Sequence, residues 1–349
     1  MQVIASAPNR IDLAGGTLDL YPLALTDDGG ITVNLAVNIY SRTTLAVRNS
    51  GAVVRSADGG EVVKAGPAGK FELQGALEAV LRAAEAMRPP APGFELTTAN
   101  QAPRGSGLGA SSALLLSVCA ALNLLQVQAR SIPELISLAN AIETQSLGVP
   151  TGLQDYYPAA YGGLNILRFP ATGPRREPVQ LSGAQTENLT EWLILCDTGQ
   201  PHTSGPINWA ILRAYMDGDP ATVRALRGIK AATVDMAAAV RNRDWPAMAE
   251  CLGREWLARR ELAPGVSTPL IEHLLDRARA AGALSGKVCG AGGGGFVVIA
   301  APPKSRREVR MALELAGGRP VPFAIDHRGL QVRVDTVPAA GRPADGGGP

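Results

Sequence analysis

The residues best suited to do chemistry lie in Pro103-Arg104-Gly105-Ser106-Gly107-Leu108-Gly109-Ala110-Ser111-Ser112. Three alternate glycines run into an apolar segment, Ala113 to Leu125, whose spacing predicts a buried helix starting near Ser111. The first amides of a helix have no internal carbonyl partner, and the peptide dipoles leave partial positive charge there. An anion, above all a phosphate, is the natural ligand of such a place. Glycines let backbone approach phosphate oxygens with no Cβ between. The hydroxyls of Ser106, Ser111 and Ser112 can bind phosphate or a hydrated magnesium ion. A glycine-rich turn capped by serine fits the same residues. No Gly-Lys-Ser/Thr follows, which excludes a Walker A loop, and no acidic residue stands at the spacing of a dinucleotide fingerprint.

Three other stretches carry chemical potential. In Ala7 to Asp19, the charges of Arg10, Asp12 and Asp19 sit among apolar residues and glycines. Gly15-Gly16 marks a tight turn or a close approach to ligand; an ordinary strand and turn with solvated charges is the alternative. Asp155 follows Gly152-Leu153-Gln154 and precedes an apolar Tyr/Ala stretch. It reads either as a catalytic carboxylate tuned by its surroundings or as the N-cap of a short helix. The run Gly290-Ala291-Gly292-Gly293-Gly294-Gly295 precedes the buried strand Phe296 to Ala300, so other backbone must pass close to it.

Several elements are expected to position these groups. A short strand, Gln2 to Ser6, leads to the Arg10 stretch, and Ile31–Val37 and Thr43–Val47 read as two further strands. Val53-Val54 and Glu61–Val63 form a hairpin, Leu73–Met87 a helix, and Phe94–Thr98 the strand into the glycine-serine turn. Ser131 with Glu134 caps a helix running to about Thr144, with Glu143 on its last turn. Ala171 to Thr190 reads as loop with at most one strand, and marks the domain crossover. Beyond it come the buried strand Trp192–Cys196, then helices over Pro206–Met216, Pro220–Asn242, Pro246–Arg260 and Thr268–Ala281. Ser305–Ala316 is a last helix, Val321–Phe323 and Leu330–Val334 are closing strands, and the tail is expected to be disordered.

Composition narrows the class. The 349 residues can bury a large core and make more than one domain, and a 46% hydrophobic content suits a globular enzyme. A net charge of +2 argues against nucleic acid and anionic membranes as partners. Cys119, Cys196, Cys251 and Cys289 have no paired spacing, so reduced cytoplasmic thiols are expected rather than a metal site or a disulfide framework. The start lacks the pattern of a signal peptide, and Ala113 to Val127 is too short and polar for a membrane span.

Taken in order, Ala7-Pro8-Asn9-Arg10 through Asp19, Pro103 to Ser112, and Gly290 to Gly295 resemble the three motifs of the GHMP kinases, the group of galactokinase, homoserine kinase, mevalonate kinase and phosphomevalonate kinase. The likeness extends from Ala7 to about Ala301. The blocks Gly152 to Asn165 and Asp197-Thr198-Gly199-Gln200-Pro201-His202 look most like the sugar-kinase branch, near the heptose 7-phosphate kinase, fucokinase-like and galactokinase-like proteins.

The resemblance implies a two-domain α+β fold. Residues 1–180 would be like ribosomal protein S5 domain 2 and residues 191–337 ferredoxin-like, with 338–349 as the tail and the active site in the cleft. It also implies ATP, Mg2+, a small-molecule sugar substrate, and a cytoplasmic monomer or homodimer. Carried over residue by residue, Pro103, Gly105, Ser106, Gly107, Leu108, Gly109, Ala110, Ser111 and Ser112 would bind ATP, and Ser111 and Glu143 the metal. Asp155 would take or hydrogen-bond the acceptor proton, with Arg10 stabilising the developing charge. Arg10, Gly16, Thr17, Asp19, Asp155, Gly290, Ala291 and Gly292 would bind substrate. Two departures stand out. Ala110 replaces the serine common after Gly-Leu-Gly, so Ser111 and Ser112 could share or exchange roles, and Gly15-Gly16-Thr17-Leu18-Asp19 differs from the Gly-Gly-Gly-Thr-Asp of the nearest branch. Apart from Arg10, few basic residues lie near Asp19, which does not favour a phosphorylated acceptor. A non-sugar alcohol, such as mevalonate or homoserine, and a non-catalytic ATP- and sugar-binding sensor are the competing readings.

Overall fold

The computed structural model describes residues 2–26, 29–66, 69–201 and 204–335. His202 and the expected tail 338–349 lie outside the described residues. The first half contains strands β1 (Gln2–Ala14), β2 (Gly30–Arg48), β3 (Gly51–Ser56) and β4 (Val62–Lys64), then helix α1 (Glu78–Ala86) and strand β5 (Gly93–Asn100). Helices α2 (Ala110–Asn123), α3 (Ile132–Leu147) and α4 (Tyr156–Tyr161) follow, then β6 (Leu164–Phe169) and β7 (Arg175–Val179). Helix α5 (Gly183–Trp192) leads into β8 (Leu193–Asp197), α6 (Ser204–Met216), α7 (Pro220–Asn242), α8 (Trp245–Arg259) and α9 (Pro269–Ala280). The chain closes with β9 (Ser285–Val288), β10 (Phe296–Ala300), α10 (Arg306–Leu315), β11 (Arg319–Val321) and β12 (Gln331–Asp335).

Two sheets organise these elements. The larger runs β12-β1-β2-β5-β3-β4, with β6 added to β2 and β7 to β6. The smaller runs β11-β8-β10-β9, all antiparallel. In chain order those four strands lie as fourth, first, third and second, and alternate with helices as β-α-β-β-α-β, the split unit of ferredoxin-like folds. The fold is the expected mixed α+β arrangement of two domains. β12 returns from the end of the chain to pair with β1.

Burial fixes how the layers meet. One apolar cluster packs α1, α2 and α3 on the larger sheet through Leu81, Leu116 and Ile136. A second joins the two sheets: Ile11, Val33 and Leu35 meet Leu195, Val298 and, from α7 and α8, Val240 and Leu252. The two halves therefore share one core, and the cleft between them has a stiff floor.

Three expectations about elements need correction. The short first strand continues to Ala14, because β1 pairs with β2 along almost its whole length. Alternation then puts Arg10 and Asp12 on one face, toward the cleft, while Ile11 and Leu13 enter the core on the other. The two strands read from Ile31 to Val47 are one 19-residue strand, β2. The polar stretch in its middle looked like a break, yet Ser41 is buried there, donating to Asn9 Oδ1 and the Ala110 carbonyl, both at 3.1 Å. Last, Ala171 to Thr190 contains β7 and most of α5. That helix starts at a Ser182/Gln185 capping box and buries only Leu189, so its apolar period is faint while its cap is plain.

Candidate active site

The glycine-serine turn enters α2 as expected, but its cap is Gly109 rather than a serine. Gly105, Gly107 and Gly109 have φ of 72°, 74° and 69°, the left-handed region that glycine enters without strain. Leu108 is fully buried between them and anchors the turn. Ser106 turns inward, accepting from the Leu108 amide at 3.3 Å. Ser111 is exposed on the cavity side, whereas buried Ser112 donates to Glu143 Oε2 at 2.9 Å. The amides of Ala110, Ser111 and Ser112 open the helix toward the cleft with no carbonyl of their own helix to bond.

The glycine run of the other half supports this turn from behind. A Cβ on Gly290 would stand 3.0 Å from Gly107 Cα, and one on Gly295 would stand 2.5 Å from the Ser106 carbonyl oxygen. The Phe296 amide donates to that same carbonyl at 2.8 Å. Gly290 and Ala291 border the cavity, while Gly292 packs on Val266 backbone.

Asp155 occupies the N-cap position of α4 but makes no capping bond. Its carboxylate turns to Arg10 instead, with Nε donating to Oδ1 at 2.7 Å. It also packs on Gly109, where a Cβ would lie 3.1 Å from Asp155 Cγ. Arg10 is 5% exposed and donates in addition to the carbonyls of Gly107 and, at 2.7 Å, Cys289. One guanidinium thus ties the turn, the glycine-run strand and the acid together. Burial works against its charge, but Asp155 and Asp12 outweigh it and hold the Arg10 pKa above its ordinary value.

Glu143 projects from α3, one turn before the end of a helix that runs on to Leu147. It is buried and its carboxylate accepts from Ser112 and, at 2.6 Å, from the Tyr156 hydroxyl. Burial pushes its pKa up, against the hydrogen bonds of Tyr156 and Ser111. A carboxylate held only by hydroxyls, beside a phosphate-type turn, suits a hard divalent cation, which prefers oxygen donors. Among the described residues no group of three or more histidine, cysteine, aspartate or glutamate side chains is placed to hold a metal ion.

On the far side of Arg10 lies the turn Gly15–Asp19. Asp19 is buried, and its Oδ2 accepts from the Gln154 amide at 2.9 Å, one residue before Asp155. Gly152 makes room for it, since a Cβ there would come within 1.9 Å of Oδ2. Burial first, and then the nearby charge of Asp155, push the Asp19 pKa up to about 6 despite the Gln154 bond. A continuous cavity of about 590 Å³ joins Thr98 and Arg104 at one end, past Ser111, Glu143 and Asp155, to Asp19 and Arg259 at the other. Folding therefore brings nearly every expected site residue to one cleft; Leu108 and Gly292 support it from outside.

A buried charge cluster beneath Gly16 was not legible in the chain order. Lys287 Nζ lies 3.0 Å from Asp12 Oδ2 and 3.1 Å from Glu255 Oε1. Arg259 pairs with Glu255 at 2.5 Å, and all four residues are at most 1% exposed. Charges from Asp12 on β1, Lys287 on β9 and two residues of α8 thus neutralise one another across the two halves. Burial would raise the Asp12 pKa, but Lys287, Arg259 and Arg10 pull it below the ordinary carboxylate value. The expectation of few basic residues near Asp19 is corrected here: Arg259 reaches that end from 240 residues along the chain. Glu255 and Arg259, four apart on an otherwise apolar helix face, were the one signal.

Comparison with known proteins places these features together. Residues 73–163 match the GHMP kinases N terminal domain and residues 236–317 the GHMP kinases C terminal domain. The chain is 27% identical to D-glycero-alpha-D-manno-heptose 7-phosphate kinase of Campylobacter jejuni, over 93% of this chain and 96% of that protein. It is also 27% identical to the L-fucokinase/L-fucose-1-P guanylyltransferase of Bacteroides fragilis, spanning 38% of that longer protein. A D-glycero-D-manno-heptose 1-phosphate kinase from Bacteroides thetaiotaomicron superposes with a TM-score of 0.76 at 27% identity, over 96% of this chain and all of that one. Galactokinase of Lactococcus lactis shares the fold, with a TM-score of 0.75 at 18% identity, over 95% of each chain. The chain belongs to the GHMP kinases, ATP-dependent phosphotransferases with an alcohol group as acceptor. Among the described residues no helix is long and apolar enough to cross a membrane.

Proposed function

We propose that this kinase transfers the γ-phosphoryl group of ATP to a hydroxyl of a sugar or sugar derivative, phosphorylated sugars included. The amides from Gly105 to Ser112 cradle the phosphates; Ser111 and Glu143 would hold Mg2+, which would supply charge neutralisation to the transferred group. Asp155 receives or orients the acceptor proton. In a loose transition state the acceptor oxygen needs alignment more than early deprotonation, and a carboxylate fixed in place by an arginine can align it. Arg10 offsets charge as it gathers between acceptor oxygen and γ-phosphate. Asp19 grips acceptor hydroxyls, and Gly16, Thr17, Gly290 and Ala291 shape that end of the cleft. We divide the work between residues 1–180, which bear the phosphate turn and Asp155, and residues 191–337, whose β12 straps back onto the first sheet.

The observation that carries this reading is Asp155, turned away from its capping role and fixed by Arg10 against Gly109 at the mouth of α2. The names of the relatives support a sugar as acceptor. The test is ATP turnover with Mg2+ and a panel of aldoses, uronic acids, heptose phosphates, mevalonate and homoserine. Phosphate transfer to one sugar class is expected. Transfer to mevalonate or homoserine alone would overturn the sugar assignment, and nucleotide binding without transfer to any acceptor would make the protein a sensor.

A further inference from the structure

We infer that Arg259 is a positioning residue of the acceptor site, holding the Gly15–Asp19 turn from the opposite half of the molecule. The inference rests on the reading of that turn as the acceptor site. Among the described residues only Thr17 and Arg243 are non-glycine residues with positive φ, at 85° and 59°. Arg243 ends a helix, where the left-handed conformation is common. Thr17 has no such excuse: it is β-branched, and that region is a true outlier for it. Strain of this kind persists only where the surroundings over-determine the conformation, and it gathers at functional sites.

Two turn bonds, Leu18 to Gly15 at 3.0 Å and Leu20 to Thr17 at 3.1 Å, are all that the segment's own backbone supplies. The Gln154 amide holds Asp19 at the far end, and α8 holds the three residues before Leu18. Arg259 donates through one terminal nitrogen to the Gly16 carbonyl at 2.6 Å and through the other to Thr17 Oγ1 at 3.3 Å. Its Nε and one terminal nitrogen meanwhile grip Glu255 at 2.9 and 2.5 Å, which fixes the plane of the guanidinium. Glu255 Oε1 also accepts from the Gly15 amide at 3.4 Å. Three consecutive residues, Gly15, Gly16 and Thr17, are therefore held by one buried ion pair from a helix more than 230 positions away. A lysine ammonium has charge but no planar fork, so it cannot hold Glu255 and span two residues of the turn at once. Asp19 lies two residues beyond Thr17, so this grip sets the backbone from which its carboxylate reaches the Gln154 amide.

Hydrogen exchange tests the inference without any substrate. In Arg259→Lys, peptides covering residues 15–20 should exchange about tenfold faster, as a locally opened segment does, while peptides from β9 and α2 keep their protection. In kinetics, KM for the sugar that wild-type protein phosphorylates fastest should rise about tenfold, with KM for ATP within about twofold, the pattern of lost acceptor binding. Because Arg259→Lys could loosen the whole core, the charge-balanced pair Glu255→Gln/Arg259→Gln serves as second variant, and the same local acceleration is expected. Unchanged exchange over residues 15–20 in both variants, or a rise no larger there than in β9, overturns the positioning role. A failed sugar panel would overturn the proposed function and leave the exchange result standing on its own.

Discussion

The two turns that face each other across the cleft are built by opposite means. The turn proposed for phosphate is backbone: three left-handed glycines, a helix start, and a second glycine run pressed against it so closely that a methyl group would collide. The turn proposed for the acceptor relies on side chains: a strained Thr17, a buried Asp19, and a four-residue charge cluster drawn from β1, β9 and α8. A site that grips phosphate needs only amides in the right place, and amides come from every residue. A site that tells one polyol from another needs particular side chains fixed from several directions. The nucleotide end should therefore tolerate changes of side chain better than the acceptor end does.

Four substitutions sharpen or break that contrast, in falling order of effect. Asp155→Asn leaves the packing intact and should cut turnover roughly 10²- to 10⁴-fold, the range for a lost acid–base group, with ATP binding retained; near-native turnover in a steady-state assay would remove Asp155 from the chemistry. Arg10→Ala should lower kcat about 10²-fold, as loss of a transition-state charge partner does, and raise KM for ATP far less. A change in ATP affinity alone would place Arg10 on the nucleotide instead.

The third concerns Asp19. Its folded pKa of about 6 lies above the ordinary carboxylate value. The stability linked to this group is therefore fully present below the ordinary value and is lost as pH rises through about 6. Its usefulness runs the other way, since only the ionised carboxylate accepts hydrogen bonds at both oxygens from sugar hydroxyls. The kcat/KM for the acceptor should fall as pH drops below about 6, and Asp19→Asn should abolish that limb of the profile while weakening acceptor binding. A limb that persists unchanged in Asp19→Asn belongs to another group. Smallest is Glu143→Gln, which should raise the magnesium concentration needed for half-maximal rate; an unaltered magnesium titration would take Glu143 out of the metal shell.

The same contrast explains what could be read from the chain. The glycine-serine turn into a helix was legible because its signals are contiguous: alternate glycines, serines and an apolar helix within about twenty residues. The capping box at Ser131 and the 23-residue helix α7 were legible for the same reason. The partners of Asp12 were not, because Lys287 lies 275 residues away in β9, a strand of only 4 residues. The middle of β2 misled because polarity there marks a buried hydrogen bond, not a turn. The capping alternative for Asp155 could be set aside only once Arg10 was seen to hold it, which needs β1 and the α4 entrance in register.

The most direct test of the central claim is a structure with a non-hydrolysable ATP analogue and Mg2+. The account predicts the phosphates on the amides of Gly105 to Ser112, with the terminal phosphoryl group facing the Asp155 carboxylate and the Asp19 end left open for the acceptor. A nucleotide seated over Asp19, or phosphates lying off the glycine turn, would contradict it.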